Sequence, residues 1–237
     1  MTPYCIMSIM SRIKFDIITI FPKIFDSYFS ESIIKRAQEK KKVEIKIHNL
    51  RDFSLGKKHH KVDDRPFGGG PGMVLMAEPI LRAFQKIKLS GLASKSKIIL
   101  LSAGGKKFNQ KMASAWAKKY KVIILICGRY EGIDERIKPA IKDLGFSIEE
   151  ISIGNYVLTG GELPAMVVVD AVSRHIPGIL GKSESIEENR LGVGVPMYTR
   201  PEILKWLGKK YSVPKILLSG DHKRIEEFRR KKRKAHR

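Results

Sequence analysis

Apolar positions in this chain come in short runs whose period changes from a strand's two to a helix's roughly 3.6 and back. Lys14–Ile20 is dense in β-branched residues and predicts a strand, and the alternation of Val43–His48 predicts a second. Between them, Pro22–Lys40 sets Ile24 with Tyr28, and Phe25 with Phe29 and Ile33, at helical spacing, so one helix with that stripe in the core is expected. The same reading gives helices at Glu78–Ile87 and Asn109–Lys119, and a strand at Ile98–Leu101 opening into Ser102-Ala-Gly-Gly105. Ile123–Cys127 is a short apolar run and predicts a buried strand of a parallel sheet. A short helix at Ile137–Lys142, a strand at Phe146–Ile151 and a helix at Glu162–Leu180, ended or kinked by Pro177, complete the pattern. Such alternation predicts a layered α/β domain with a mainly parallel sheet.

Three glycine-bearing segments fit neither period. In Ile151-Ser-Ile-Gly-Asn-Tyr-Val-Leu-Thr-Gly-Gly-Glu-Leu-Pro-Ala165, Gly154, Gly160 and Gly161 bracket a Tyr-Val-Leu core. A tight turn needs one glycine. Several around an apolar core suit a loop that wraps a small molecule with main-chain groups. Gly128-Arg-Tyr-Glu-Gly-Ile-Asp-Glu-Arg136 follows the Cys127 strand. Ligands of open α/β sheets bind beyond the carboxyl ends of strands, so Gly128, Tyr130, Glu131 and Gly132 stand where a ligand is met. Asp134 is suited to cap the helix that follows. The plainer reading of Arg129, Glu131, Glu135 and Arg136 is a solvated ion-pair face, and for Glu135 and Arg136 it is the preferred one. The third segment, Asp63-Asp-Arg-Pro-Phe-Gly-Gly-Gly-Pro-Gly-Met73, predicts a long irregular functional loop. It lacks the Lys-Ser/Thr ending of a P-loop, which argues against triphosphate binding. Its lead-in Lys57-Lys-His-His-Lys61 suits a polyanion, whereas adjacent histidines without a nearby cysteine make a poor zinc site.

Charge narrows the class of partner. Lys and Arg number 46 against 24 Asp and Glu in 237 residues, a net charge of +22, which points to nucleic acid or another anionic surface. Nine of the fifteen residues from Lys223 to Arg237 are Lys or Arg, a density suited to neutralising phosphates. Two well-separated cysteines, Cys5 and Cys127, suit a reduced compartment. No apolar run reaches the roughly 18 residues of a membrane span. A cytoplasmic protein is therefore expected. Residues 1–12 read as an N-terminal extension, either a disordered tail or the result of a start assigned upstream of Met10. Residues 13–181 read as the α/β domain and 182–196 as a glycine-punctuated linker. Residues 197–237 read as a small helical domain, with helices starting at Pro201 and Asp221.

Six segments in order carry a resemblance: Phe15-Asp-Ile-Ile-Thr-Ile-Phe-Pro22, Asp63–Gly72, Gly128–Arg136, Ile153–Pro164, Tyr198-Thr-Arg-Pro201 and Leu217-Leu-Ser-Gly-Asp-His222. Together they resemble the TrmD family, the bacterial tRNA (guanine-N1)-methyltransferases of the SPOUT superfamily, from about Phe15 to about Glu227. The resemblance implies a SPOUT domain whose C-terminal segment is threaded into a trefoil knot. It implies methylation of the N1 atom of guanosine 37 of tRNA, 3′ of the anticodon, with S-adenosyl-L-methionine. It also implies a homodimer with composite active sites and leaves a magnesium requirement open, although no acidic cluster declares a metal site. Carried over position by position, the methyl donor would meet Leu101, Ser102, Gly128, Tyr130, Glu131, Ile153, Gly154, Asn155, Tyr156, Val157, Leu158, Gly160, Gly161 and Pro164. At the first of these stretches the pattern is loosely kept, with Ala103 where the family has proline. Arg174, in Val172-Ser-Arg-His175, aligns with the family's catalytic arginine.

Two departures bear on activity. The family's catalytic aspartate aligns with Asn189, and an amide has no useful basicity. Glu188 is the best substitute base and Asn189 an orienting group. A catalytically degenerate SPOUT-fold RNA-binding protein is the alternative this opens; a SPOUT enzyme for another RNA fits Tyr198–Pro201 poorly. The family also continues past the Asp-His helix into further tRNA-gripping helices, so this C-terminal domain is shortened. Replacing Glu188 with Gln is expected to slow single-turnover methylation by about 10²–10⁴, the usual worth of a general base; full retention of the rate would remove Glu188 from that role. Deleting Arg229–Arg237 is expected to weaken tRNA binding and to flatten the dependence of log K on log salt, and an unchanged slope would take the tail off the RNA.

Overall fold

The computed structural model describes residues 12–56, 60–87, 92–180 and 195–234. The expected N-terminal extension up to Ser11, the Lys57-Lys-His59 lead-in, and both linker candidates, Glu188 and Asn189, lie outside the described residues. The chain divides into two compact units between Ile179 and Leu180.

Strands of the first unit are β1 (Ile13–Thr19), β2 (Val43–Asn49), β3 (Asp63–Asp64), β4 (Val74–Leu75), β5 (Ser96–Lys107), β6 (Val122–Cys127) and β7 (Ile148–Ser152). Five of them form a wholly parallel sheet in the order β2-β1-β6-β5-β7. Every residue of β6 is buried, as expected for a central strand covered on both faces. Period-two alternation then sorts its side chains. Ile123, Leu125 and Cys127 join Phe15, Ile17, Ile99 and Leu101 in one core, while Val122, Ile124 and Ile126 join Ile98 and Leu100 in the other.

Helices cover both faces: α1 (Asp26–Phe29), α2 (Ser32–Glu39), α3 (Ala77–Lys86), α4 (Gln110–Lys119), α5 (Ile137–Asp143) and α6 (Glu162–Ser173). Residues of α1, α2, α4 and α6 fill the first core, and those of α3 and α5 the second. Asn109 caps α4, its side-chain oxygen accepting from Met112 N at 3.0 Å. Helix α6 is different in kind. It carries Ala165, Val168, Val169 and Val172 fully buried, and it packs on α2, α4, β1 and β6.

Three expected elements differ. The single helix Pro22–Lys40 is instead a 3-10 turn (Pro22–Phe25), α1 and α2. Ser30 donates its hydroxyl to the Asp26 carbonyl at 2.5 Å, and Glu31 is extended, so the helix is interrupted and its register reset. Phe25 and Phe29 remain buried, but the next core position is Ile34 rather than Ile33, and Ile24 and Tyr28 are exposed. Helix α6 stops at Ser173, four residues before Pro177, and tightens into i→i+3 bonds from His175 to Val172 and Ile176 to Ser173. The loop from Asp63 is closed at its base by the β3–β4 ladder.

The second unit is less helical than expected. Pro201–Leu207 is not a helix start but part of an antiparallel hairpin, β8 (Ile203–Trp206) and β9 (Lys209–Ser212). Leu207 and Gly208 both hold positive φ, the requirement of a two-residue type I′ turn. A final helix, α7 (His222–Lys234), begins just after the expected Asp221. Asp221 Oδ1 accepts from Arg224 N at 3.1 Å. Pro196, Tyr198, Arg200, Leu217 and Arg229 line a groove within this unit.

Candidate functional site

Three strand ends of the sheet, those of β5, β6 and β7, open into one cleft of about 360 Å³. Each contributes by a different device. β5 pairs with β7 at Leu101 and again at Lys106, both times opposite Ile151, so residues 102–105 bulge out of the ladder. A side-chain carbon on Gly105 would stand 2.5 Å from Ile151 N, so the bulge folds this tightly because that residue is glycine. Ser102, Ala103 and Gly104 line the cleft from the bulge.

β6 ends at Cys127, a thiol that burial pushes well above its ordinary pKa, and gives way to the loop 128–132. Tyr130 holds a φ of 58°, a left-handed conformation that costs a tyrosine energy and clusters at ligand sites. The glycine-rich segment supports this loop from behind. Glu131 N donates to Met73 O at 3.0 Å, Leu75 N to Gly132 O at 3.0 Å and Asp134 N to Leu75 O at 2.9 Å. A side-chain carbon on Gly72 would stand 2.6 Å from Glu131 Oε1. Asp134 is not the cap of α5, whose N-cap is Arg136 with no side-chain cap bond; it stands two residues earlier, accepts from Arg136 N at 3.0 Å, and its bonds to Arg136 hold its carboxyl below the usual range.

Beyond β7, residues 153–161 run back past the end of β5 to meet the end of β6. Gly161 N donates to Gly128 O at 2.9 Å, and Arg129 and Gly160 form an isolated antiparallel bridge. A side-chain carbon on Gly161 would lie 2.7 Å from Cys127 Cα, which makes this crossing a glycine position for reasons of contact. Ser152 Oγ donates to Gly154 O at 2.8 Å and starts the loop.

One buried ion pair ties the two loops. Arg129 Nε donates to Glu162 Oε2 at 2.9 Å, with Glu162 1% exposed and the Arg129 side chain 17% exposed. Arg129 Nη1 donates to Thr159 O at 3.1 Å, and its guanidinium lies 4.6 Å from the centre of the Phe21 ring. Glu162 also accepts from Thr19 Oγ1 at 2.7 Å, and its place in the first turn of α6 suits a carboxylate. Arg129 thus has a specific structural partner and is not part of a solvated face. A second acidic group, Glu150, is held ionised by Lys138 at 2.5 Å and then by Ser102, which lowers its carboxyl pKa.

Of the fourteen residues the resemblance assigned to the methyl donor, the cleft brings together Leu101, Ser102, Gly128, Tyr130, Glu131, Ile153, Tyr156, Val157, Leu158, Gly160, Gly161 and Pro164. Gly154 and Asn155 belong to the same loop but do not line it, the Tyr156 ring folding back over Gly154. Gly132, expected from its place beyond a strand end, also lines it, and Arg129, Ile133, Glu135, Glu150 and Thr159 line it without having been assigned. Proximity to an assigned motif was the only sequence signal for them. Arg174 is not at the cleft. It caps the far end of α6, whose 12 residues span about 18 Å. No group of three or more His, Cys, Asp or Glu is placed to hold a metal among the described residues, and no helix there is long and apolar enough to cross a membrane.

Sheet and cleft together define an α/β domain with a loop-built ligand site at the carboxyl ends of parallel strands. Residues 13–237 match the family described as tRNA (Guanine-1)-methyltransferase TrmD, and the chain belongs to that family. A relative from Dictyoglomus turgidum is 50% identical over 222 residues, covering 92% of this chain and 84% of its own length. One from Clostridioides difficile is 49% identical over 220 residues, covering 92% and 90%, and one from Moorella thermoacetica is 46% identical over 220 residues, covering 92% and 84%. All three are named tRNA (guanine-N(1)-)-methyltransferase.

Replacing Glu162 with Gln is expected to leave Arg129 charged and short of its counter-ion. Loss of roughly 3 kcal/mol in chemical unfolding is expected, the low end for a broken buried pair because Arg129 keeps some solvent. Unchanged stability would show that the two loops do not depend on this pair.

Proposed function

We propose that this chain methylates the N1 atom of guanosine 37 in tRNA, with S-adenosyl-L-methionine as donor and tRNA as its partner in the cytoplasm. The observation that carries the reading is the convergence of two of the glycine-bearing segments, 128–132 and 153–161, with the bulge at 102–104 on one cleft. A non-catalytic role is not favoured, since relatives at about half identity bear the methyltransferase name.

The cleft suits the donor by size and by lining. Its 360 Å³ falls within the usual range for small-molecule sites, roughly 300–1,000 Å³. Leu101, Ile133, Val157, Leu158 and Pro164 give a flat base apolar walls, and Glu131 and Glu150 offset positive charge. When bound, S-adenosyl-L-methionine supplies an electrophilic methyl group on a cationic sulfur. Leu101, Ser102 and the loops 128–132 and 153–161 would hold it, and the glycines admit its close approach to main chain.

The remaining chemistry is proton and charge handling. Guanine N1 carries a proton that a base must take as methyl arrives. Glu188 is assigned that role and Asn189 the orientation of the base. Arg174 is assigned stabilisation of charge building on the guanine oxygen.

Arg174 does not line the cleft of its own chain and stands at the opposite end of α6, and this favours a homodimer. Leu163 and Val167 are exposed at helical spacing on α6, beside exposed Ile24 and Tyr28. Asp170 continues the α6 stripe. Tyr28 donates to it, which pushes the Tyr28 pKa up to about 12. Antiparallel pairing of two α6 helices about a two-fold axis would bring each Arg174 to the other chain's cleft end. The trefoil knot is part of the same reading, supported by the return of residues 153–161 across the end of β5 to β6.

Purified protein with methyl-labelled donor is expected to label N1 of guanosine 37 in a tRNA transcript carrying guanosine at 36 and 37, and not in one with adenosine at 37. Donor uptake in calorimetry without label transfer would overturn the catalytic reading.

A further inference from the structure

The hairpin of the second unit is physically incomplete by itself. All eight residues of β8 and β9 are exposed. An isolated two-stranded hairpin is marginal in water unless one face is covered. Cross-strand pairs Leu204 with Tyr211 and Trp206 with Lys209 set Leu204, Trp206, Lys209 and Tyr211 on one face. Lys205 opposite Lys210 occupies the other. Trp206 is 64% exposed and Tyr211 53%. The turn residue Leu207 is 85% exposed at a φ of 47°, a position where Asn, Asp or Gly would relieve strain. Local stability gains nothing from these choices, so they point to a ligand.

Charge selects the occupant. Between Ile203 and Ser212 there are three lysines and no acid. Two copies of the hairpin would repel one another, lysines being a usual guard against strand-edge pairing. Charged residues are depleted at the core of protein interfaces, while aromatic side chains interleaved with lysine suit bases and phosphates. A duplex hides the faces of its bases, so the complement is unpaired nucleotides. We infer that the β8–β9 hairpin is a stacking platform for unpaired bases of the RNA substrate, with Trp206 and Tyr211 against base faces and Lys205, Lys209 and Lys210 against phosphates. This deepens the tRNA reading and rests on it.

The chain supplies its own probe. Its two tryptophans are Trp116, buried in the first unit, and Trp206. In the full chain, tRNA transcript and a ten-nucleotide unstructured RNA are expected to quench the exposed emission and shield it from acrylamide. A blunt RNA duplex of equal phosphate number is not. Trp206→Leu is expected to remove that signal and weaken tRNA binding about tenfold, with Trp206→Phe recovering most of the affinity. Donor binding and the Trp116 emission should stay unchanged in both variants, which separates loss of stacking from loss of folding. Tight tRNA binding and normal methylation with Trp206 emission unmoved would overturn the platform and leave the enzyme standing. Failure to bind any RNA would overturn both, and shielding that depends on protein concentration alone would make the hairpin a protein interface instead.

Discussion

A part-buried guanidinium holds the two loops of the cleft together. Neither loop 128–132 nor loop 153–161 has a ladder of its own. Their mutual geometry rests on the Gly161 N to Gly128 O bond, the Arg129–Gly160 bridge and the Arg129 side chain, which is at once bonded to the first turn of α6 through Glu162 and to the second loop through Thr159 O. A charge taken this far out of water is unfavourable unless it is paired, and here Nε meets Glu162 and Nη1 meets Thr159 O. Thr19 at the end of β1 takes up the other oxygen of Glu162. The pair therefore registers two strand ends, the loop 153–161 and a helix start against one another, and a small change in that register would reshape the cleft.

Glycine solves a different problem in the same place. Main chains approach within contact distance at Gly105 and at Gly161, where a single added carbon would meet backbone. Backbone cannot move aside as a flexible side chain can. These two positions are fixed by packing, whereas Gly68, Gly69 and Gly70 stand in open space and owe their identity to positive φ alone.

Much of the first unit was legible from period and punctuation. β6, with every position apolar, reads as a buried strand of a parallel sheet, and its glycine exit as a loop at a strand end. What sequence could not supply was the partner of Arg129, 33 residues away in Glu162, because local pattern sees a charged residue in a polar stretch and assigns it to solvent. The break at Ser30–Glu31 was equally hidden: the apolar spacing of Phe25 and Phe29 is helical on either side, and a side-chain bond to a carbonyl decides the matter. In the second unit, Ile203–Trp206 offered four residues of mixed character, too few to separate strand from helix by period. Leu207 at a position that wants glycine or asparagine concealed the turn that would have revealed the hairpin.

The length of α6 links these local facts to the assembly. Its first turn carries Glu162 and borders the cleft, and its last residue precedes Arg174 about 18 Å away. A rigid helix with a filled core face cannot bend to close that gap, since Ala165, Val168, Val169 and Val172 are wholly buried along it. Under the homodimer proposed above, Arg174 would act on a guanine held at another chain's cleft. The same rigidity would then be useful, because one helix would fix both the loop 153–161 of its own chain and the cation offered to a neighbour. A symmetric pair would need no further device to set the distance between the two reacting groups.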